Sequence, residues 1–219
     1  GFLAVLLFGW NRVKPGMHLF ATVMVALGST LSAFWIVVAN SWQQTPTAFE
    51  LETVAGSTRA VITDFWAMVF NPSSMVRFSH VVMGAWVQGA FLVLSVSAYY
   101  LVKGKHMEVA RRAFPIALAV AFVASAAQPL LGHWHANVVA EHQPAKLAAF
   151  EGLYETKEEA PLYIIGWTDE ETQQTTGIAV PGMLSWLISF DTGTEVPGLD
   201  QVPKKDWTPV KFVFQTYHA

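Results

Sequence analysis

A stretch of 24 residues, 17–40, contains no charged side chain, and this feature constrains the fold more than any other. Its apolar residues occur on all sides of a helix instead of along one stripe, which is typical of a helix with an apolar environment all round it. At about 1.5 Å per residue, such a helix can span the roughly 30 Å hydrocarbon core of a bilayer. The stretch therefore predicts that this chain lies in a membrane.

The composition points to the same environment. Hydrophobic residues make up 53% of the 219 residues and charged residues only 13%, whereas soluble domains have about 25% charged residues. The absence of cysteine from the sequence excludes disulfides, thiolate metal sites and iron–sulfur clusters held by this chain. The net charge of −3 gives no electrostatic reason to expect a nucleic acid partner.

Hydropathy and flanking charges predict an all-α fold, a polytopic transmembrane helix bundle with a long extracytoplasmic loop at 132–209. The apolar start of the chain predicts part of a helix. A signal peptide is the alternative, but the segment has no basic start and no small-residue cleavage site. Within the loop, the run TDEETQQTTG predicts a flexible surface segment. The predicted membrane segments are 1–10 (partial), 17–40, 76–102, 113–131 and the start of a truncated helix at 210–219.

The distribution of charge predicts which loops face the cytoplasm. Loops 11–16 and 103–112 fall on the same side of the membrane, because two spans separate them. Together they hold six of the thirteen Lys and Arg residues and one of the sixteen acids, Glu108. The positive-inside rule makes that side cytoplasmic. Segments 41–75 and 132–209 are then extracytoplasmic.

His80 is the first candidate for chemistry, since it follows the interfacial Arg77 by three residues and lies about one turn into the predicted span. Gly84 and Gln88 follow on the same helix face and leave a groove of small residues beside the imidazole. A haem requires a nitrogen ligand and flat apolar space of this kind. The spacing leaves a second interpretation open, an interfacial histidine that is hydrogen-bonded to a neighbouring helix.

The loop segment PAKLAAFE contains the second candidates, Lys146 and Glu151. Their separation of five residues places them about 140° apart on a helix, so they do not form the favoured i, i+4 pair. An ammonium and a carboxylate beside an apolar surface can bind a quinol headgroup, with Glu151 accepting a proton. A solvated amphipathic helix is the other interpretation of this segment.

Further histidines follow the third complete span. His133, His135 and His142, with Glu141 nearby, can be considered for zinc, but they do not complete a tetrahedral set at a recognised spacing. Polar residues at the membrane interface are the favoured interpretation. His218, near the end of the chain, can be a haem ligand, a partner of a haem propionate or a residue with neither role.

Five separated motifs resemble subunit I of cytochrome bd-type quinol oxidases, and they occur in the same order along nearly the whole chain. The resemblance implies an enzyme that oxidises quinol and reduces oxygen to water with a low-spin haem b, a high-spin haem b and haem d. It also implies subunit II and a small single-span subunit as partners in a bacterial cytoplasmic (inner) membrane. The motifs are FGWNR (8–12), GSTLSAFWIVVANSWQQTP (28–46), NPSSMVRFSH (71–80), VAEHQPAKLAAFEG (139–152) and FQTYHA (214–219).

The resemblance implies a role for each matching residue. His80 matches the axial ligand of the low-spin haem b. Lys146 and Glu151 match residues of the quinol-binding outer loop, here in its short form. Ser32 and Asn40 match polar positions that are implicated in proton delivery to the oxygen site.

The same resemblance implies that other ligands lie outside the printed sequence. The methionine that completes the low-spin haem is expected directly after Ala219, so His218 is expected to be a haem neighbour. The ligands of the high-spin haem b and haem d are expected beyond both ends, so the fragment alone should not reduce oxygen. Asn11 replaces an Asp of some relatives, which argues against a proton role at that position.

Two other classes of protein are alternatives to a quinol oxidase subunit. A dihaem cytochrome b of the quinol–cytochrome c type requires paired histidines on two helices, whereas His80 lies well inside a span and His18 only at the cytoplasmic edge. A non-enzymatic transporter predicts a charged or broken-helix site at the middle of the membrane, and the complete spans have none.

Overall fold

The structure is a computed structural model that describes residues 1–54, 57–203 and 212–214. The chain divides into two compact units, Gly1–Phe78 and Ser79–Ala219. Helices dominate the described residues. They are α1 (Phe2–Phe8), α2 (Pro15–Gln44), α3 (Phe65–Val69), α4 (Ser74–Lys103), α5 (Met107–His142), α6 (Pro144–Glu151), α7 (Met183–Ser189) and a short 3-10 helix at Leu199–Gln201.

Three of these helices, α2, α4 and α5, are long and apolar enough to cross a membrane. Each contains one of the predicted complete spans, so the predicted helical membrane fold is confirmed. Helix α5 has 36 residues and continues to His142, past the predicted loop start at Gly132. The chain offers no strong break between those positions, and Pro144 is the first residue that ends the helical pattern.

The first unit contains a hairpin that the sequence did not predict. Strand β1 (Phe49–Val54) pairs antiparallel with β2 (Ser57–Ile62). The carboxylate of Asp64 then caps α3 by accepting hydrogen bonds from two backbone N–H groups of that helix. The buried hydroxyl of Ser74 donates to the carbonyl of Val69 at 2.7 Å and fixes the start of α4.

The second unit contains an ordered module between α5 and the end of the described chain. Strand β3 (Leu162–Asp169) pairs antiparallel with β4 (Gln174–Val180), so the predicted flexible run at 168–177 is the end of a hairpin. Side chains from α6, α7 and the connecting segments form a core beside this hairpin. The core residues are Leu147, Ala148, Ala149, Leu153, Tyr154, Ala160, Leu184, Val196 and Leu199.

The segment 210–219 was predicted to begin a transmembrane helix. Within it the structure describes only strand β5 (Phe212–Phe214), which pairs antiparallel with β3 and gives the order β4-β3-β5. A short run of aromatic and β-branched residues favours a strand when a strand edge is available. The other residues of the segment, including His218, lie outside the described part of the chain, so that prediction stays a prediction.

Candidate functional site

His80 lies on α4 and is buried, with 9% of the residue exposed. Neither ring nitrogen has a hydrogen-bond partner among the described residues. A buried polar group without a partner is costly, since it has lost its hydration without replacement. The alternative of a histidine hydrogen-bonded to a neighbouring helix is therefore not what the described residues show. A nitrogen that is kept buried and unpaired is suited to binding a metal centre.

Helix α5 approaches His80 closely because a glycine faces it. A Cβ atom added to Gly132 would lie 3.7 Å from Cε1 of His80. One turn away, a Cβ added to Gly84 would lie only 3.2 Å from Nε2 of Gln128. Small residues let membrane helices approach at such distances. The Gln128 side chain therefore occupies the space beside Gly84, and the side chain of Gln88 is exposed, so the predicted groove stays a prediction.

Three residues of α5, near His80 and Gly84, were not predicted as members of the site. Gln128, Gly132 and His135 follow one another at spacings of four and three residues, so they share one face of the helix. The ring of His135 lies 6.1 Å from that of His80, centroid to centroid. The Oε1 atom of Gln128 is buried and has no hydrogen-bond partner. That spacing was the signal by which the sequence alone could have grouped them.

These surroundings fit an axial ligand of a haem, which is the cofactor that the resemblance implies. His80 offers an unpaired imidazole nitrogen, and Gly132 faces the ring without a side chain. Among the described residues, no group of three or more His, Asp or Glu side chains can hold a metal ion alone. A haem iron, by contrast, needs only one or two protein ligands, because the macrocycle supplies the others.

The three histidines that were considered for zinc have different neighbours. The ring of His133 lies 4.6 Å from that of Phe190. Nδ1 of His142 lies 3.9 Å from the carboxylate of Glu141. His135 lies beside the imidazole described above. The structure therefore does not bring the three rings together.

Lys146 and Glu151 both lie on α6, as the sequence predicted, and both are half-buried. The ammonium group of Lys146 lies 5.6 Å from the centre of the Phe150 ring, within the range of a cation–π contact. Glu151 is the last residue of the helix. The next residue, Gly152, adopts a left-handed conformation with φ of 66°, which glycine favours.

The polar residues of α2 have different environments. Ser32 and Asn40 are both exposed in the described structure. Oδ1 of Asn40 accepts hydrogen bonds from Nη1 of Arg77 at 2.7 Å and from Nε2 of Gln44 at 3.2 Å. Nη2 of Arg77 also donates to Oε1 of Gln44. Asn40 therefore has a structural contact to the start of α4 that the sequence did not predict.

The segment after α6 is held by a carboxylate. Asp200 accepts hydrogen bonds from the hydroxyl of Thr156 at 2.6 Å and from its backbone N–H at 3.1 Å. These donors lower the pKa of Asp200 below its usual value. Burial raises the pKa of the nearby Tyr154 phenol, so this group stays neutral at physiological pH. The hydrogen bonds of Asp200 help to fix the chain a few residues beyond Glu151.

Three membrane-crossing helices, a buried unpaired imidazole and a folded module after α5 define a membrane-embedded subunit with a candidate haem site. The sequence profile of Cytochrome bd terminal oxidase subunit I matches residues 1–219, and this chain belongs to that family. This membership rules out the two alternative classes, a dihaem cytochrome b of the quinol–cytochrome c type and a transporter.

Two relatives and one solved structure show how far the similarity extends. Cytochrome bd-II ubiquinol oxidase subunit 1 of Escherichia coli (strain K12) is 38% identical over 202 residues, covering 90% of this chain and 38% of the relative. Cytochrome bd ubiquinol oxidase subunit 1 of Bacillus subtilis (strain 168) is 35% identical over 200 residues, covering 90% and 42%. The bd oxidase structure from Geobacillus thermodenitrificans has a TM-score of 0.74 and 32% identity, covering 94% and 47%. The chain thus spans less than half the length of these relatives.

Proposed function

We propose that this chain is part of subunit I of a quinol oxidase in a bacterial inner membrane. The complete subunit oxidises quinol at the loop that contains α6, passes electrons to a low-spin haem b and feeds oxygen reduction to water. The observation that carries the proposal is the buried imidazole of His80, whose two nitrogens have no partner among the described residues. Membership of the family supports the same activity.

His80 is the residue that would hold the low-spin haem b. Its imidazole would supply a nitrogen ligand to the iron, Gly132 faces the ring without a side chain, and the apolar helices would keep water away from the site. When bound, the haem supplies a reversible one-electron carrier. His218 is proposed as a neighbour of this haem. The complete subunit would also hold a high-spin haem b and haem d.

Lys146 and Glu151 are the residues that would bind and oxidise quinol. The ammonium of Lys146 can donate a hydrogen bond to a quinol oxygen, while the carboxylate of Glu151 accepts the hydroxyl proton as electrons leave. Both side chains are half-buried and lie on one short helix, which supports a shared role. Ser32 and Asn40 are proposed to lie on a proton route towards the oxygen site.

The charge distribution supports an orientation for this cycle. Loops 11–16 and 103–112 are proposed to be cytoplasmic, and 41–75 and 132–209 extracytoplasmic. Quinol protons would then leave on the outer side, while oxygen reduction takes protons from the cytoplasm. Subunit II and a small single-span subunit are the proposed protein partners in the lipid bilayer.

Replacement of His80 by Ala in the intact subunit tests the haem assignment. We expect the low-spin haem b signal to disappear from the reduced-minus-oxidised spectrum, because the iron would lose the nitrogen ligand proposed for His80. The matched control is His133→Ala, which removes an imidazole that contacts Phe190 and should leave the signal in place. A normal low-spin signal in the His80→Ala protein would contradict the assignment.

A further inference from the structure

The end of α6 is tied to a strand that lies 23 residues further along the chain. The hydroxyl of Thr175, on β4, donates a hydrogen bond of 2.6 Å to the carbonyl of Gly152. Gly152 directly follows Glu151 and ends the helix, and its own N–H bonds to carbonyls of the last helical turn. The bond from Thr175 therefore holds the peptide group between Gly152 and Leu153, one residue beyond the peptide group that joins Glu151 to Gly152.

Thr175 is itself held in place from β3. The phenol of Tyr163 donates to the carbonyl of Thr175 at 2.9 Å. A register shift between Tyr163 and Ile165 interrupts the regular pairing of β3 with β4 at this point. The hairpin thus presents the Thr175 hydroxyl from a fixed backbone position.

Two glycines make this arrangement sterically possible. A Cβ atom at Gly166 would lie 3.2 Å from Cγ2 of Thr175 and 3.3 Å from the ring of Tyr163. A Cβ atom at Gly177 would lie 2.1 Å from the carbonyl oxygen of Ile165, a distance that no side chain tolerates. Gly166 therefore leaves room for the methyl group of Thr175, and Gly177 allows the close approach of the β3 backbone at Ile165.

We propose that Thr175 is a positioning residue for quinol oxidation and acts through Glu151. Gly152 ends α6 in a left-handed conformation, and the N–H of Leu153 bonds to the carbonyl of Ala148 at 2.8 Å. The bond from Thr175 to the Gly152 carbonyl ties this closed helix end to β4 and so limits its movement. Displacement of a catalytic group by about 1 Å can lower a rate by two orders of magnitude. The proposal rests on the proposed quinol role of Glu151 and assigns the β3–β4 hairpin to the same site.

Three variants of the intact oxidase test this role. Thr175→Val keeps the shape of the side chain and removes its hydroxyl, whereas Thr175→Ser keeps the hydroxyl. Thr176→Val is the matched control, since it makes the same change at the next residue, whose side chain is exposed. For each variant, kcat/KM is measured with a short-chain quinol and the rate with an artificial donor that feeds the haems directly. Amide hydrogen exchange is followed in peptides covering 150–154.

Thr175→Val should lower kcat/KM for quinol by about five- to tenfold, because about 1 kcal/mol of hydrogen bonding is lost at the end of α6. Exchange in 150–154 should become faster, while the artificial-donor rate and the haem spectrum stay normal. Thr175→Ser should retain the wild-type kcat/KM for quinol and the wild-type exchange in 150–154. Thr176→Val should match the wild type in both measurements. A purely structural role would lower the haem signal and both rates together, which would overturn the proposal.

The outcomes separate this proposal from the quinol assignment itself. If Glu151→Gln impairs quinol oxidation but Thr175→Val has wild-type kcat/KM or wild-type exchange, the positioning role of Thr175 is wrong. If Glu151→Gln oxidises quinol normally, the quinol role of Glu151 is wrong, and the positioning proposal falls with it. Faster exchange in Thr175→Val would then still show that the hydrogen bond holds the end of α6.

Discussion

The regions around His80 and Glu151 differ in how their polar groups are satisfied. Around His80, helices approach through glycines, and polar atoms of His80 and Gln128 stay buried without partners. Beyond Glu151, the backbone is held by repeated hydrogen bonds: the carbonyl of Gly152 bonds to β4, and that of Leu153 accepts from the N–H of Leu199 at 2.9 Å. The polar groups of the first region are ones that a bound cofactor could satisfy, whereas the backbone of the second region is hydrogen-bonded within the chain.

The difference explains why the two regions should respond differently to substitution. A cofactor that stays bound can supply the missing partners of a buried site, so the cost of unpaired groups ends when it binds. A substrate that enters and leaves in each cycle gains from a site whose groups are already positioned. Substitutions near His80 should therefore change cofactor content, and those near Glu151 should change substrate kinetics.

The largest expected effect follows from filling the space beside His80. Gly132→Leu should reduce the low-spin haem b signal to a small fraction of the wild-type signal, since its side chain must occupy space next to Cε1 of His80. Gly132→Ala should retain the signal, because its Cβ would make an ordinary contact. Spectra of the purified complexes measure both. The control Gly89→Leu adds the same side chain to α4 where nothing lies within 4 Å. A full signal in Gly132→Leu would contradict the proposed haem position.

The next largest effect is expected for the candidate base. Glu151→Gln should lower the rate of quinol oxidation by about 100-fold, which is typical of the loss of a general base. The haem spectrum and the rate with an artificial donor should remain near those of the wild type. Glu155→Gln is the control, because it neutralises an exposed carboxylate four residues away. Equal loss with both donors would show that Glu151 does not act on quinol.

A smaller effect is expected where two backbone segments cross in the module after α5. A Cβ atom at Gly198 would lie 2.4 Å from the carbonyl carbon of Glu155, so the backbone must shift. Gly198→Ala should lower the stability of this module by about 1–3 kcal/mol and increase cleavage of the loop in limited proteolysis. At Gly193 the nearest atom to an added Cβ is 3.5 Å away, so Gly193→Ala should resist protease like the wild type. Equal cleavage of the two variants would contradict the crossing.

The helices of this fold could be predicted from the sequence because the signals are local. An apolar stretch that crosses a bilayer must satisfy its backbone hydrogen bonds within itself, so it forms a helix. The predicted span 17–40 lies within α2, and PAKLAAFE forms α6. The strands could not be predicted in the same way. The exposed run 168–177 contributes to β3 and β4 only because the two strands pair with each other.

The same difference between local signals and contacts of distant segments applies to the candidate site. His80 was a candidate from its depth in a predicted span, its haem role was predicted from the family resemblance, and Glu151 was predicted from a motif. Gln128 and Gly132 were missed, since their importance depends on how α5 packs beside His80. Thr175 lay within a run that was predicted to be flexible, and its contact with Gly152 joins residues 23 positions apart. Contacts between distant segments leave little trace in local composition.

The smallest effect, that of Asp200, tests how firmly the region beyond Glu151 is held. Donors on Thr156 lower the pKa of Asp200 in the folded state, so its ionised form stabilises the fold above the unfolded pKa of about 3.9. This stabilisation is lost as the pH falls through the lower folded pKa. Asp200→Asn should thus raise proteolysis of the loop about twofold at pH 7, because solvent screens an exposed carboxylate. In hydrogen exchange, variant and wild type should converge in peptides covering 153–157 once the pH falls below the folded pKa of Asp200, where the wild-type carboxyl is also neutral. A difference that persists at that pH would show that the Asp200 charge is not its cause.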